Sequence, residues 1–267
     1  MELSGQTAVV TGAGRGIGLA IARQLADLGA NVALLARTAA QVDGAAVEIN
    51  EMANGRARAF PLDVRDASSV RAAVADAEAA LGPVTLLLNN AGTGGPAGAE
   101  WEVDPDAWWE CIESIVRGAF NCTQAVVPGM LSRGGGRVVD VASVTGTTAW
   151  PLVTATSLAK TALIRRVESL AAAGGEQGLK AFALHPGVVR TELLLSYRSH
   201  PDMAAFIDNA PQEIFSPPEV AARVVARIAT GELDGLSGRF VDATADLDAL
   251  AAQDLTEDAL MLRLVQP

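Results

Sequence analysis

The sequence predicts an α/β fold in which helices cover both faces of a parallel β-sheet. Two observations support this prediction. Short apolar runs, each long enough for one buried strand, alternate along the chain with segments of helical periodicity. A glycine-rich turn joins the first of these runs to the first helical segment. We expect about seven strands in a doubly wound sheet, within one domain spanning residues 1–267.

The glycine-rich turn is Thr11-Gly12-Ala13-Gly14-Arg15-Gly16-Ile17-Gly18, between a strand at 7–10 and a helix at 17–28. Gly12 permits a sharp turn, and Gly18 lets the helix pack close to the strand. Small residues at Gly14 and Gly16 let backbone N–H groups approach a pyrophosphate at the helix N-terminus. The alternative is a tight turn with a purely geometric role. The order strand, turn, helix favours a nucleotide site.

The remaining elements follow from periodicity and from capping residues. Asp66, Asp104 and Thr38 are expected N-caps, and Ser216 has capping-box spacing to Glu219. The predicted strands are 7–10, 31–36, 57–62, 84–88, 137–143, 180–185 and 239–242. The main predicted helices are 17–28, 38–53, 67–81, 104–130, 157–173 and 216–229.

Composition and charge exclude some classes of binding partner and indicate the cellular compartment. A net charge of −11 argues against nucleic acid and anionic membranes, and no apolar run reaches 18 residues. The start of the chain, residues 1–4, lacks a signal-peptide pattern. Cys111 and Cys122 are too far apart on one predicted helix to form a disulfide, so we expect a reducing, cytoplasmic setting. No spacing suits a metal site.

Unusual residues cluster at the predicted carboxyl ends of strands, where open parallel sheets bind their ligands. These residues are Gly12, Arg37, Asp63, Asn89, Ser143 and Pro186.

Five motifs follow one another along the chain: Thr11–Gly18, Asn89-Asn90-Ala91-Gly92, Ser143, Lys160 and Pro186-Gly187 with Thr191. Taken together, they resemble the short-chain dehydrogenase/reductases, from about residue 5 to 245. The resemblance implies a Rossmann-type sheet, a nicotinamide cofactor, a small-molecule substrate and hydride transfer at a carbonyl carbon. It also implies a substrate-covering loop at about 188–215. A homodimer or homotetramer would form through the helices around 104–130 and 155–173.

The cofactor predicted is NADP(H). NAD requires a carboxylate at the end of the second strand, where this chain has Ala36-Arg37. Arg37 and Arg15 suit a ribose 2′-phosphate, although both could simply be solvated at helix ends. The resemblance gives Asp63 an adenine contact. The expected cofactor-binding residues are Gly12, Gly14, Arg15, Gly16, Ile17, Gly18, Arg37, Asp63, Val64, Asn89, Ala91, Gly92, Lys160, Pro186, Gly187, Val189 and Thr191.

The catalytic pattern departs from the family. The family places a tyrosine four residues before its lysine, and this chain has Thr156 at that spacing from Lys160. A threonine hydroxyl is too weak an acid to replace a phenol beside a lysine. The family's asparagine in the middle helix corresponds to Ile115. The expected catalytic residues are Ser143, Thr156 and Lys160.

Several alternatives stay open from the sequence. Ser143 could polarise a carbonyl or be structural, and Thr156 could bind substrate or merely fill space. Tyr197, the only tyrosine, and His200 could donate a proton once the loop closes, or belong to a mobile surface loop.

Two function classes follow. One is an atypical NADP(H)-dependent ketoreductase or dehydrogenase, suited to an activated carbonyl such as a quinone or polyketide ketone. The other is a non-redox enzyme or nucleotide-binding protein on the same scaffold.

Overall fold

The computed structural model describes residues 2–253, 255–256 and 258–263. Seven parallel strands form one sheet in the order β3-β2-β1-β4-β5-β6-β7. The strands are β1 Thr7–Thr11, β2 Asn31–Ala36, β3 Ala57–Pro61, β4 Val84–Asn89, β5 Gly136–Val141, β6 Leu179–His185 and β7 Phe240–Asp242. Strand order reverses between β1 and β4, so the predicted doubly wound fold is confirmed.

The helices cover both faces of the sheet. They are α1 Gly16–Asp27, α2 Ala39–Met52, α3 Ala67–Leu81, α4 Pro105–Ile112, α5 Gly118–Ser132, α6 Thr154–Gly174, α7 Glu192–Ser196, α8 Pro201–Asn209, α9 Pro218–Ala229 and α10 Leu247–Ala251. Among the described residues, none of these helices is long and apolar enough to span a bilayer.

Successive residues of the central strands point to opposite faces, and each face has its own core. On β1, Val10 packs in the cluster that includes residues of α1, α2 and α9. The preceding residue, Val9, packs in the cluster that includes residues of α3 and α5. Because both faces are covered, the central strands are apolar throughout instead of alternating with polar residues.

Three predicted details of the helices are wrong. Helix α6 begins at Thr154, so Thr156 lies in its first turn. The predicted helix 104–130 is interrupted by a π-helical segment at Glu113–Arg117. The capping box at Ser216 does not form, because the helix starts one residue later than that motif requires, with Pro217 as its N-cap.

Two of the three single-residue N-caps form as expected. Asp104 accepts hydrogen bonds from the backbone N–H groups of Asp106 and Ala107. Asp66 does the same for the first turn of α3. Thr38 occupies the N-cap position of α2, but its side chain makes no capping hydrogen bond.

Asp66→Ala is expected to lower the free energy of unfolding by about 1 kcal/mol, the usual contribution of an N-cap. The Asp66 carboxylate accepts hydrogen bonds from the Ser68 and Ser69 N–H groups at 2.9 and 3.3 Å and from both hydroxyls. These bonds hold its pKa well below the usual value. Denaturant unfolding measures the effect, with exposed Asp76→Ala in the same helix as control. Equal losses in the two variants would contradict the capping role.

Candidate active site

A cleft of about 420 Å³ lies where the strand order reverses, bordered by the glycine-rich turn. Gly12 and Gly16 have φ values of +63° and +57°, which favour glycine. A Cβ at Gly12 would lie 2.8 Å from Asn90 Nδ2, and one at Gly18 would lie 2.4 Å from the Gly12 carbonyl oxygen. Arg15, the N-cap of α1, makes no capping hydrogen bond with its side chain, so N–H groups of the first turn stay available to an anion.

Most residues expected to bind the cofactor line this cleft. They are Gly12, Gly14, Arg15, Gly16, Ile17, Arg37, Asp63, Val64, Ala91, Gly92, Val189 and Thr191. Five others lie outside its lining: Gly18, Asn89, Lys160, Pro186 and Gly187. The lining also includes residues that sequence reasoning left out, namely Gln41, Leu62, Asn90, Thr93, Ser114, Arg190, Glu192, Leu193 and Pro218.

Hydrogen bonds between Thr11 and Asn90 join the glycine-rich turn to the end of β4. Thr11 Oγ1 accepts from the N–H groups of Asn90 and Ala91 at 2.9 and 3.0 Å. Asn90 Nδ2 donates to the carbonyl oxygens of Thr11 and Gly12 at 3.0 and 3.2 Å. Asn90 stands inside a recognisable motif, but only the tertiary contact reveals that its amide holds the turn.

Guanidinium groups gather around Glu110 at one end of the cleft. Arg37 Nη1 lies 3.5 Å and Arg65 Nη1 lies 3.3 Å from Glu110 Oε1. Arg65 also forms hydrogen bonds to both oxygens of Asp63. Those hydrogen bonds hold the Asp63 pKa below its usual value. The sequence reasoning did not identify Arg65, since no local pattern indicates that it folds back on Asp63.

Arg15, on the glycine-rich turn, forms an ion pair with Glu192 at the start of α7. Both side chains are more than half exposed, so the pair itself adds little stability. It does connect the glycine-rich turn to the predicted covering loop.

Ser143 and Lys160 lie at the carboxyl end of β5. Lys160 is buried, and its Nζ donates to the Val141 carbonyl oxygen at 2.5 Å. Burial lowers the Lys160 pKa to about 8, partly opposed by Cys111 and Asp140. Two residues beyond Val141, Ser143 Oγ accepts from the Thr145 N–H at 3.1 Å. This leaves the Ser143 hydroxyl proton available for a ligand.

A buried ion pair lies beneath these residues. Asp140 is fully buried and forms hydrogen bonds with Arg166 and with Asn89 Nδ2, the latter at 2.8 Å. Arg166 also donates to Thr123 Oγ1 and, at 2.9 Å, to the Ala119 carbonyl oxygen. The network joins α5 and α6 to β5, which ends two residues before Ser143. A carboxylate buried in a strand requires a partner, and the sequence alone does not show that the partner is Arg166.

Thr156 lies in a cluster of three oxygens. Its Oγ1 is 2.5 Å from the Gly94 carbonyl oxygen and 2.6 Å from the Tyr197 hydroxyl. The Tyr197 hydroxyl is also 2.5 Å from the Gly94 carbonyl oxygen. Tyr197 is only 5% exposed, so of the two alternatives left open by the sequence, that of a residue in a surface loop is wrong for it. Burial raises its pKa above the usual value for a phenol.

Two other candidate side chains of this region, His200 and Cys111, make different contacts. His200 Nδ1 accepts from the Asp202 N–H and caps α8. Cys111 lies 3.6 Å from Thr156 Oγ1 and 3.2 Å from the Thr93 carbonyl oxygen, and burial raises its pKa. Sequence reasoning found no partner for Cys111, because its neighbours come from distant segments. Among the described residues, no group of acidic, histidine and cysteine side chains could hold a metal ion.

Comparison with known proteins identifies the family of this chain. The model of the short chain dehydrogenase family matches residues 6–202. The chain belongs to this family. A short chain dehydrogenase of Pseudocercospora fijiensis is 35% identical over 260 residues, covering 92% of this chain and 82% of that protein. The galactitol 2-dehydrogenase (L-tagatose-forming) of Cereibacter sphaeroides is 35% identical over 249 residues, or 90% and 96% of the two chains.

Solved structures agree with this assignment. A 3-oxoacyl-[acyl-carrier protein] reductase with bound NAD from Brucella melitensis has a TM-score of 0.79 and 30% identity, covering 90% of this chain and 89% of its own. The cleft of this short-chain dehydrogenase fits a dinucleotide, because side chains at Gly12 and Gly18 would collide with the turn and the α1 N-terminus leaves donors for phosphate.

Lys160→Met is expected to raise the free energy of unfolding at pH 7. The unfolded chain keeps the lysine charged up to about pH 10.5, whereas the buried side chain loses its proton near pH 8. This difference in pKa lowers the stability of the folded parent by about 3 kcal/mol below pH 8. The destabilisation disappears as the pH rises to 10.5. The lost hydrogen bond to Val141 offsets about 1 kcal/mol of the gain.

Denaturant unfolding of parent and variant between pH 7 and 10.5 measures this effect. The control is Lys180→Met, at the chain's only other lysine, on β6. A stability difference between Lys160→Met and the parent that stays constant over this range would contradict the buried charge.

Proposed function

We propose that this short-chain dehydrogenase is an atypical NADP(H)-dependent oxidoreductase acting on a carbonyl or alcohol. The observation that supports it most is that Ser143 and buried Lys160 both lie at the carboxyl end of β5, where Lys160 donates to Val141 and Ser143 accepts from Thr145. The glycine-rich cleft lies at the same edge of the sheet. The site is atypical because Thr156 stands four residues before Lys160, where the family has a tyrosine.

Each part of the site has a defined task. A bound nicotinamide cofactor supplies or accepts hydride. The first turn of α1 binds its pyrophosphate through N–H groups. Ser143 donates a hydrogen bond to the substrate oxygen as negative charge develops there. Lys160, protonated below about pH 8, supplies positive charge near the same place.

The preference for NADP(H) rests on charge at one end of the cleft. Ala36 provides no carboxylate for ribose hydroxyls, and Arg37 and Arg15 both line the cleft. Their carboxylate partners, Glu110 and Glu192, are exposed enough to yield to a phosphate. The Brucella reductase was solved with NAD, so the proposal depends on this chain's own arginines.

Arg37→Ala is expected to raise the Kd for NADPH about 10- to 100-fold, the contribution of one charge-assisted hydrogen-bonding pair. The Kd for NADH should stay unchanged, because that cofactor has no 2′-phosphate. Isothermal titration calorimetry measures both, with exposed Arg58→Ala on β3 as control. Equal loss of both cofactors, or NADH binding as tightly as NADPH to the parent, would contradict the proposal.

The substrate class proposed is an activated carbonyl, such as a quinone or a polyketide-type ketone. Its reduced product is less basic than a simple alkoxide, so it demands less of the proton donor. This suits a site without a phenol at position 156. The Cereibacter relative is named for a polyol, which is consistent with the broader class of alcohols and carbonyls.

A second function, nucleotide binding without redox chemistry, is favoured by one observation. The Tyr197 phenol lies directly against Thr156 and takes up space that a substrate would need. If that arrangement is permanent, the cleft binds a nucleotide and no carbonyl reaches Ser143.

Oxidation of NADPH with a panel of quinones and cyclic ketones distinguishes the two functions. The parent should be active, and Ser143→Ala should lower kcat about 100-fold by removing the hydrogen bond to the developing oxyanion. Exposed Ser132→Ala at the end of α5 is the control and should match the parent. A parent that binds NADPH but oxidises none of it would overturn the oxidoreductase.

We also propose a homodimer or homotetramer in a cytoplasmic setting. Large apolar side chains are exposed on the helices through which the family associates, with 59% of Trp109, 56% of Phe120 and 52% of Leu158 accessible. Burial of these side chains against a second copy would stabilise such an assembly. Both cysteines are free and buried, as suits a reducing compartment.

A further inference from the structure

The only tyrosine of the chain reaches the active site from the segment 188–215, called here the covering segment. Its ring packs in an apolar cluster with Val153 from the start of α6 and with Met203 and Ile207 from α8. Its neighbours Arg198 and Ser199 are exposed. Tyr197 therefore points inward from an otherwise polar turn, and its ring position is fixed by packing.

The position of the Tyr197 hydroxyl is equally well defined. Gly94 permits the contact, because a Cβ there would lie 3.1 Å from both Cζ and the hydroxyl of Tyr197. Three short oxygen contacts join Tyr197, Thr156 and the Gly94 carbonyl, but the two hydroxyls have only two protons. Each hydroxyl lies within donating distance of the Gly94 carbonyl oxygen, and either hydroxyl can donate to the other. One arrangement that uses both protons has Tyr197 donate to Thr156 and Thr156 donate to the carbonyl oxygen.

We propose that Tyr197 and Thr156 form a two-hydroxyl proton relay, in which Tyr197 is the proton source and Thr156 passes the proton to the substrate. The substrate oxygen takes the place of the Gly94 carbonyl oxygen as the acceptor from Thr156. The proposal rests on the proposed oxidoreductase function. It makes Thr156 the catalytic residue that touches the substrate and Tyr197 the acid behind it.

The reduction balances as follows. Hydride from NADPH forms a C–H bond at the carbonyl carbon, and the C=O π bond breaks toward oxygen. Thr156 Oγ1 gives its proton to that oxygen and receives the Tyr197 proton. The products are an alcohol, NADP⁺ and the Tyr197 phenolate, which takes a proton from water when the covering segment opens.

The relay removes the difficulty posed by a threonine at position 156. Thr156 exchanges one proton for another and never carries the charge, so its own low acidity no longer limits the step. The charge rests on a phenol, whose usual pKa of about 10 is below that of an aliphatic alcohol. Burial raises the pKa of Tyr197, so the phenol holds its proton throughout the neutral pH range and is a weaker acid than an exposed tyrosine.

Kinetics of Tyr197→Phe, Thr156→Val and the double variant test the relay. Each single change should lower kcat about 100-fold with little change in KM, because each removes the proton path and leaves substrate packing intact. The double variant should lose no more than either single variant, since the two hydroxyls act as one unit. The control is Ser199→Ala, an exposed hydroxyl two residues from Tyr197, which should match the parent.

The outcomes separate the relay from the proposed function. An active parent with an unimpaired Tyr197→Phe variant would overturn the relay alone. A faster Tyr197→Phe variant would show that the phenol blocks the substrate, which also overturns the relay. A parent without any NADPH oxidation would overturn the oxidoreductase and the relay together.

A second measurement is independent of activity. Because Tyr197 is the only tyrosine, the near-ultraviolet absorbance of phenolate reports its ionisation alone. The folded parent should form phenolate only well above pH 10, the usual midpoint for tyrosine. A midpoint near 10 in the folded protein would show an exposed phenol and overturn the relay.

Discussion

The close contact between β1 and β4 is the constraint on which the site depends. At this junction there is no room for a Cβ at Gly12 or Gly18, and the Asn90 amide donates to the carbonyl oxygens of Thr11 and Gly12, where β1 ends and the turn begins. The α1 N-terminus is thereby fixed over the sheet edge, with its donors free. A larger side chain in the turn would separate the two strand ends and displace the anion site with them.

Three arginines at or beside the cleft are already paired within the protein. Arg15, Arg37 and Arg65 each form an ion pair with a carboxylate, in a chain with a net charge of −11. A phosphate bound by these arginines would have to displace the carboxylates, so part of the attraction would be spent on separating existing ion pairs. Since Glu192 begins α7, this exchange also frees one attachment of the covering segment.

The sequence predicted the sheet and most of the cleft, because strand periodicity, glycine spacing and N-caps such as Asp66 are local signals. It could not predict contacts made by distant residues. Tyr197 meets Thr156 across 41 positions, and Asp140 meets Arg166 across 26. Both contacts form only when the covering segment and α6 pack against the rest of the fold. The same holds for the start of α6, which no capping side chain marks in the sequence.

The buried phenol makes positions 156 and 197 dependent on each other in evolution. A tyrosine introduced at position 156 would enter space that the ring of Tyr197 already fills. Loss of the ring at 197 alone would leave a cavity beside Val153 and Ile207. Either single substitution is therefore unfavourable, because the first overfills the site and the second empties part of it. Packing thus constrains both positions, whatever selection acts on the activity.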